Sequence, residues 1–269
     1  MSKSDTDFKK RMTEIGLVEA DDTVYPRIIC SVGGKEKSGK TNFSLTAPDP
    51  IAILSTDIGT EGVVNKFKAA GKDIWIYEIE MPEKYEEAVK IWDGDGSSSY
   101  PGIQKTYKKL IKIPEIRTII FDTSTEMWEL LRIRRFGRLE KVMPFQYGPV
   151  NAEFHRMLRQ PYKGQKNLIL LHKVKPVYIN DVRTADYENA GFGYTPNIVQ
   201  VNLETFRTVP KRKCAYCDKE DGEHRHWCVK VKDCRQNPNL IDRVFIDRMC
   251  SFPILASLII EGTDVEDWE

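Results

Sequence analysis

Residues 34–41 read Gly-Lys-Glu-Lys-Ser-Gly-Lys-Thr, with two glycines five positions apart and Lys-Thr at the end. This segment, the glycine loop, follows residues 27–32, an apolar run with the length and composition of a buried strand. Residues 42–47 can then open a helix before Pro48 and Pro50 end it. Strand, glycine loop and helix in this order form the context that a phosphate-binding loop requires. The stretch therefore predicts an α/β fold.

The glycine loop carries the residue types that phosphate binding needs. Gly34 and Gly39 allow backbone conformations that are closed to other residues, so successive amides can turn toward phosphate oxygens. Lys40 is expected to reach the β and γ phosphates, and the Thr41 hydroxyl to bind Mg²⁺. A chance match in a glycine-containing turn is the alternative. The predicted nucleotide-binding set is Gly34, Lys35, Glu36, Lys37, Ser38, Gly39, Lys40, Thr41 and Asn42.

The composition indicates one large α/β domain with a substantial core. Of 269 residues, 41% are hydrophobic and 10% are aromatic. The net charge is only +1, so any nucleic-acid site has to be a local basic patch. The apolar runs are too short to span a bilayer, and residues 1–5 lack the apolar core of a secretory signal. We therefore expect no membrane partner, a cytoplasmic location and six reduced cysteines.

Apolar strands alternate with helical segments along residues 25–176. These runs are apolar on both faces, which indicates a mainly parallel sheet with helices on either side. Further strands are predicted at 51–56, 74–77, 118–122 and 167–172. Helices are predicted near 7–15, 62–70, 83–92, 103–112, 124–141 and 149–160.

The ends of the chain differ in pattern from this alternating region. Residues 1–24 are polar and charge-rich, and we expect an N-terminal arm there, with the α/β domain covering 25–269. Within that domain, residues 199–209 and 227–234 predict the two limbs of a β-hairpin. A helix is expected from 243 to 260, and it would close the fold.

Asp122 is expected to complete the metal site of the glycine loop. It ends an apolar strand about 80 residues further along, where an acid can order the water shell of Mg²⁺. The alternative is an acidic helix cap, since Thr123 and Ser124 follow and acids favour helix starts.

Hydrolysis also requires a group that orients the attacking water. Asp57 and Glu61 come just after the strand that follows the glycine-loop helix, where a carboxylate can face the γ phosphate and accept a proton. Asp57 is closer to the strand end, and Glu61 has the longer reach. His172 and Lys173 end another strand, at a place where a polar group can sense the γ phosphate. Solvated loop acids and a structural histidine are the alternatives.

The glycine loop resembles the Gly-Pro-Glu-Ser-Ser-Gly-Lys-Thr loop of RecA-type recombinases. The order and spacing of later segments is similar to that of the RecA-like ATPases carried by phages and prophages, which are proposed to act in recombination and single-strand annealing. The resemblance covers roughly residues 26–250, and its specific part is the glycine loop. The supporting segments are 119–122, 147–151, 170–173 and 229–235.

The resemblance implies a RecA-like P-loop fold with Mg²⁺-dependent ATP hydrolysis stimulated by single-stranded DNA. It also implies a homo-oligomeric ring or filament, contacts with other recombination or replication proteins, and action in a bacterial host cytoplasm if a phage encodes the chain. In such assemblies basic residues complete a neighbour's ATP site, a role implied here for Lys230, Lys232 and Arg235, with plain surface charge as the alternative. The chain departs from RecA at Asp57, where RecA has a glutamate, and at His172, where it has a glutamine.

A zinc site is predicted in the hairpin region, residues 199–235. The Cys-x-x-Cys turn at 214–217 can hold two tetrahedral positions, and the second limb could supply two more. Reduced thiols in a solvated loop are the alternative, and Cys234 is an outside candidate. Cys30 and Cys250 are expected in the core. The predicted Zn²⁺ ligands are Cys214, Cys217, His226 and Cys228, with His224 as an alternative.

Two basic clusters and one aromatic segment are candidates for contact with DNA. Residues 178–197 hold Tyr187, Phe192 and Tyr194 among glycines and asparagines, which suits base stacking from a mobile loop. An ordinary charged face or surface loop is the alternative for each. The clusters are Arg132, Arg134, Arg135, Arg138 and Lys141 on a predicted helix, and Arg207, Lys211, Arg212 and Lys213 before the cysteines.

Two other functions are compatible with the same loop. A small kinase for a nucleotide or another small molecule would need an arginine-rich lid and an acceptor pocket. A non-catalytic nucleotide-binding adaptor would need only the glycine loop and a zinc-stabilised tip for protein contact. The glycine loop does not distinguish ATP from GTP.

Overall fold

Eight strands form one sheet and two more form a separate hairpin in the computed structural model, which describes residues 3–20, 23–97, 99–139, 142–208 and 225–269. The strands are β1 (Ile29–Gly33), β2 (Ile51–Ser55), β3 (Ile74–Glu78), β4 (Thr118–Asp122), β5 (Asn167–His172), β6 (Val174–Ile179), β7 (Val182–Asn189), β8 (Val201–Arg207), β9 (Trp227–Cys234) and β10 (Val244–Ile246).

The large sheet is mostly parallel, as the sequence predicted. Its order is β10-β9-β8-β1-β5-β4-β2-β3, and the strands from β8 to β3 run parallel. β9 is antiparallel to β8, and β10 is antiparallel to β9. Every residue of β1, β2, β4 and β5 is buried, which explains why these strands are apolar without alternation.

Helices cover both faces of the sheet. α2, α3 and α9 pack on one face through residues such as Phe43, Val64 and Phe252. α4 to α7 pack on the other, around Trp92 and Phe154. The helices are α1 (Lys3–Glu14), α2 (Lys40–Ser44), α3 (Glu61–Ala69), α4 (Tyr85–Asp93), α5 (Ile103–Lys112), α6 (Ser124–Phe136), α7 (Gly148–Gly164), α8 (Thr195–Ile198) and α9 (Phe252–Ile259).

The two edges of the parallel sheet have different neighbours along the chain. At the carboxyl edge, where the strands end, Gly33 is level with His172 and Ser55 is level with Asp122. Parallel pairing therefore brings the ends of β1, β2, β4 and β5 together. At the amino edge, where the strands begin, the end of α7 leads into β5.

Two segments differ from the sequence prediction. Residues 178–197 were expected to be a mobile loop, but β6 and β7 pair there as an antiparallel hairpin, followed by α8. Ile179 pairs with Val182, so the turn has two residues, Asn180 and Asp181, both with positive φ. The helix expected from 243 to 260 begins only at Phe252, because Val244–Ile246 pairs with β9 instead.

Across the part of the chain that the structure describes, no helix is both long enough and apolar enough to cross a bilayer.

Candidate functional site

The glycine loop joins the end of β1 to the start of α2 at the carboxyl edge. Gly39 has φ 99°, a left-handed conformation that favours glycine, and a Cβ there would collide with the Trp227 ring. At Gly34 a Cβ would lie 2.5 Å from the hydroxyl oxygens of Ser38 and Thr205. A larger residue would therefore clash at either position, as expected for a tightly turned loop.

Lys40 folds back over the glycine loop. Its Nζ donates to the carbonyl oxygens of Gly34 at 2.7 Å and Lys35 at 2.9 Å. Burial lowers the pKa of Lys40, an effect opposed by the charges of Asp122 and Asp57. Lys40 forms no ion pair with the described residues, and it lines the cavity over the glycine loop.

Thr41 and Asp122 meet beside Lys40. The Thr41 hydroxyl donates to Asp122 Oδ2 at 3.1 Å, and Asp122 is only 2% exposed. Burial raises the pKa of Asp122 to about 6, although the Thr41 hydrogen bond opposes this and the nearby Asp57 carboxylate adds to it. A buried carboxylate and a hydroxyl side by side provide the oxygen ligands that Mg²⁺ prefers. The residues present therefore fit the metal that the sequence predicted.

A cavity of about 620 Å³ opens over the glycine loop, within the size range of small-ligand pockets. The described residues that line it include equal numbers of acids and cations, so the cavity carries mixed charge. The acids are Glu36, Asp57, Asp122 and Glu126, and the cations are Lys37, Lys40, Lys173 and Arg207.

The structure separates the two acids proposed to orient water. Asp57 lines the cavity, and its charge acts on both Lys40 and Asp122. Its Oδ1 also accepts from the Gly59 amide at 3.0 Å, which fixes the side chain. Glu61 instead lines a neighbouring groove of about 590 Å³, between the ends of β2 and β3. Geometry thus favours Asp57 over Glu61.

Glu126 and Thr56 belong to the cavity and were missed in the sequence. Thr56 Oγ1 donates to Glu126 Oε2 at 2.7 Å, and Lys173 forms an ion pair with the same carboxylate. A signal existed, because Thr123 and Glu126 have the Thr-x-x-Glu spacing of a helix start directly after β4. The Thr123 hydroxyl accepts from the Glu126 amide at 3.3 Å, so the first turn of α6 aims Glu126 at the carboxyl edge.

His172 does not line the cavity, whereas its neighbour Lys173 does. His172 is 1% exposed, and its Nδ1 lies 3.2 Å from the Ala190 carbonyl oxygen at the base of the β6–β7 hairpin. Burial lowers its pKa to about 4, so the ring is neutral near pH 7. Its Nε2 has no hydrogen-bond partner among the described residues. The structure thus brings Lys173, rather than His172, to the cavity.

Lys230, Lys232 and Arg235, expected to complete a neighbour's site, lie away from this chain's own cavity. Lys230 pairs with Asp242 at 2.7 Å and Lys232 with Glu204 at 3.4 Å. Arg235 donates to the Asn197 carbonyl oxygen at 2.9 Å. A role toward another copy stays a prediction for all three.

The zinc prediction falls mostly outside the described residues, since Cys214, Cys217 and His224 lie there. His226 is buried, with Nδ1 2.6 Å from Asp247 Oδ2, and Cys228 is buried in β9. The described residues contain no group of three or more His, Cys, Asp or Glu side chains that could together hold a metal ion. The zinc site stays a prediction. Cys30 and Cys250 are buried, as expected, and so is Cys234.

The basic residues predicted to contact DNA have different surroundings in the structure. Arg132 and Arg134 on α6 are engaged with acids, Arg132 with Glu129 and Arg134 with Asp93 and Glu153. Arg138 donates to the Pro82 carbonyl oxygen, and Arg207 lines the cavity. Lys141, Lys211, Arg212 and Lys213 lie outside the described residues.

The β6–β7 hairpin contacts the glycine loop. Lys35 Nζ lies 4.3 Å from the centre of the Tyr187 ring, and the Asn189 side chain packs against Gly33. Hydrogen bonding to Arg183 and to Lys35 lowers the pKa of Tyr187. At the far end of the hairpin, Tyr178, Ile179 and Val182 are exposed.

No protein-family model matches this chain, and no curated protein matches it.

Proposed function

We propose that this chain is a RecA-like ATPase that binds Mg²⁺–ATP in the cavity over the glycine loop and hydrolyses it. The observation that carries the proposal is the meeting of three groups: the Lys40 ammonium, the Thr41 hydroxyl and the buried Asp122 carboxylate. Two glycines with no room for a side chain form the backbone around them. This combination matches the needs of a triphosphate and its metal, a polyanion and a hard cation.

Each residue has a distinct part in the proposed reaction. Lys40 leaves the loop carbonyls to bind the β and γ phosphates. Thr41 and Asp122 would hold Mg²⁺, which would supply positive charge to neutralise the phosphate oxygens. Asp57 orients a water molecule and accepts its proton as the water oxygen bonds to the γ phosphorus. The bond from phosphorus to the β–γ bridging oxygen breaks, and ADP leaves. Lys173 and Arg207 lie on the same cavity and counter the negative charge.

The β6–β7 hairpin supports an action on single-stranded DNA. Its exposed tip carries Tyr178 and apolar neighbours, which suit base stacking. Its base contacts the glycine loop through Tyr187 and Lys35. A strand that orders the hairpin would therefore also order the loop, and hydrolysis would depend on DNA. Assembly into a ring or filament is part of the same proposal, through the resemblance.

The test is phosphate release from ATP and from GTP, with Mg²⁺, in the presence and absence of oligothymidylate. We expect release that rises with the oligonucleotide and is lost in Lys40→Ala. Lys66→Ala is the matched control, because Lys66 is an exposed lysine on α3 away from the cavity lining. Tyr187→Phe should keep basal release, while Tyr178→Ala should lower the response to the oligonucleotide.

Three results would contradict the proposal. Phosphate release that persists in Lys40→Ala would place catalysis elsewhere or in a contaminant. Transfer of phosphate to a small acceptor would favour a kinase. Tight nucleotide binding with no release under any condition would favour a non-catalytic adaptor.

A further inference from the structure

A second cavity, of about 930 Å³, lies between the C-terminal half of α7, the short helix α8 and Arg235. It opens at the amino edge of the sheet, because α7 leads into the start of β5 and Cys234 pairs with Val201, the first residue of β8. The glycine loop is at the opposite edge of the same sheet. This amino-edge groove, with Arg156, Arg159, Lys163 and Arg235, is separate from the proposed nucleotide site.

The charges of the amino-edge groove have one sign. Arg156, Arg159, Lys163 and Arg235 are all exposed, and no carboxylate is among the described residues that line the groove. None of the four forms an ion pair with a described side chain. Clustered like charges with no counter-ion repel one another, and a bound polyanion would remove that cost.

The spacing of the α7 cations suits a linear anion. Arg156, Arg159 and Lys163 are at positions i, i+3 and i+7, so they share one face of the helix. At 1.5 Å per residue they form a row about 10 Å long. At the 3.4 Å spacing of a stacked strand, such a row meets roughly three phosphates.

The floor of the groove is held in place by contacts that do not involve carboxylates. Tyr162 donates to the Ile198 carbonyl oxygen at 2.6 Å, and its ring is covered by Arg27, whose guanidinium carbon lies 4.8 Å from the ring centre. Arg235 is fixed by its bond to Asn197. His155 and Tyr162 also line the groove, but Arg27 already lies over the Tyr162 ring. The groove therefore offers mainly cations, and it would contact a backbone rather than bases.

We infer that the amino-edge groove binds the phosphodiester backbone of a single nucleic-acid strand, without regard to its sequence. Binding there does not depend on hydrolysis, but the choice of nucleic acid over another polyanion rests on the proposed function. The groove gives the chain a second strand-binding surface, on the opposite edge of the sheet from the β6–β7 hairpin. A recess of this kind admits one flexible strand more readily than a rigid duplex.

The test is fluorescence anisotropy of a labelled oligothymidylate with the full chain, without nucleotide, between about 50 and 200 mM salt. The variant Arg156→Gln with Arg159→Gln and Lys163→Gln should bind about tenfold or more weakly. The slope of log K against log salt should fall in magnitude by about 2, at about 0.7 per phosphate contact. The matched control removes three exposed lysines from α5, Lys105→Gln with Lys109→Gln and Lys112→Gln, and should stay within about twofold.

Further variants and ligands in the same assay distinguish binding in the groove from the proposed ATPase activity and from binding of other ligands. Lys40→Ala, which stops hydrolysis, should leave affinity and slope unchanged, so loss of ATPase activity does not mimic loss of the groove. The single variant Arg159→Gln should lower the slope by about 0.7, and near-ultraviolet circular dichroism of each variant reports its fold. Oligouridylate should bind comparably, because the shared chemistry is the backbone.

Three outcomes would overturn the inference. The triple variant could bind as the wild type does, which would put the strand elsewhere. Polyglutamate could displace the oligonucleotide at equal charge concentration, which would indicate an acidic protein segment. A duplex could bind more tightly than the single strand with the same dependence on the α7 cations.

Discussion

The two edges of the central sheet use charge in opposite ways. At the carboxyl edge, acids and cations line the same cavity: Lys40 lies near Asp122, and Lys173 forms an ion pair with Glu126. At the amino edge, the α7 cations and Arg235 have no counter-ion among the described residues. Mixed charge suits a metal–phosphate complex, in which both signs must be matched at short range. A single sign suits a polyanion that supplies all the counter-charge itself.

Among these substitutions, Lys40→Ala should have the greatest effect on phosphate release, and it changes only the site at the carboxyl edge. Lys40→Ala removes the cation that is poised over the glycine loop, and we expect phosphate release to fall by about a thousandfold. Oligothymidylate binding without nucleotide should not change, because the amino-edge groove is intact. A parallel loss of strand binding would mean that the two edges are one site. Phosphate release and anisotropy on the same preparation check both.

The next effect distinguishes the acids of the carboxyl edge. Asp57→Asn keeps a side-chain oxygen to accept from the Gly59 amide but removes the proton acceptor, so release should fall about a hundredfold. Glu61→Gln, the matched control, should stay within about threefold, since Glu61 lines the neighbouring groove. The reverse ranking in single-turnover release would assign the water-orienting role to Glu61.

The pH dependence of folding stability tests how strongly burial disfavours the charged form of Asp122 at the carboxyl edge. Burial raises the pKa of Asp122 to about 6 from an ordinary 3.8, so the folded state holds this proton more tightly than the unfolded state does. In the absence of metal, the free energy of unfolding of the wild type should therefore fall as the pH rises from about 4 to about 6. These limits are the pKa values of Asp122 in the unfolded and folded states. Asp122→Asn should remove that loss and be more stable at pH 7 by about 2 kcal/mol, somewhat below the full 1.36 kcal/mol per pKa unit.

Urea unfolding at several pH values checks this. Asp186→Asn is the control, an exposed acid on β7 that should change stability little at any pH. Added Mg²⁺ with a nonhydrolysable ATP analogue should reverse the trend for the wild type alone, because the metal favours the charged carboxylate. If Asp122→Asn were less stable than the wild type at pH 7, burial would not disfavour the charged form of Asp122.

The smallest expected effect concerns cations that already have partners. Arg132→Gln with Arg134→Gln breaks pairs with Glu129, Asp93 and Glu153, so we expect some loss of stability. Oligothymidylate affinity should change by less than about twofold, because these guanidinium groups are occupied. A tenfold loss of affinity with an intact fold would restore the α6 cluster as a DNA contact and weaken the contrast with α7.

Much of the fold followed from local patterns. The apolar runs at 118–122 and 167–172 coincide with β4 and β5, because a strand buried on both faces needs a continuous apolar segment of that length. The hairpin at 174–189 was missed because none of its strand residues is buried and its apolar and polar residues do not alternate regularly, although its Asn180-Asp181 turn was a usable signal. Val244–Ile246 was taken for helix, since a three-residue apolar run does not reveal which strand it will pair with.

The candidate site was predictable in part, for the same reason. The glycine loop and Asp122 are each recognisable from their own neighbours, since steric limits on glycine and an acid at a strand end are local properties. Lys173 was also predicted near the γ phosphate, because it follows the end of a strand. Its pairing with Glu126, and the bond between Thr56 and Glu126, come from the neighbouring positions of β2, β4 and β5 in the sheet. The place of His172 under the hairpin base likewise depended on an element that the sequence did not reveal.

Local sequence is enough to predict a glycine loop between a strand and a helix, and a parallel sheet built from strands that are buried on both faces. Those features are written in runs of a few residues, where backbone sterics and hydrophobic periodicity act. The ion pairs between distant segments, by contrast, depend on the tertiary structure. Strand order placed Lys173 beside Glu126, and helix packing placed Arg134 beside Asp93 and Glu153. The cations of the amino-edge groove have no counter-ion among the residues that the structure describes. These ion pairs join segments far apart in the chain, and no local pattern specifies them.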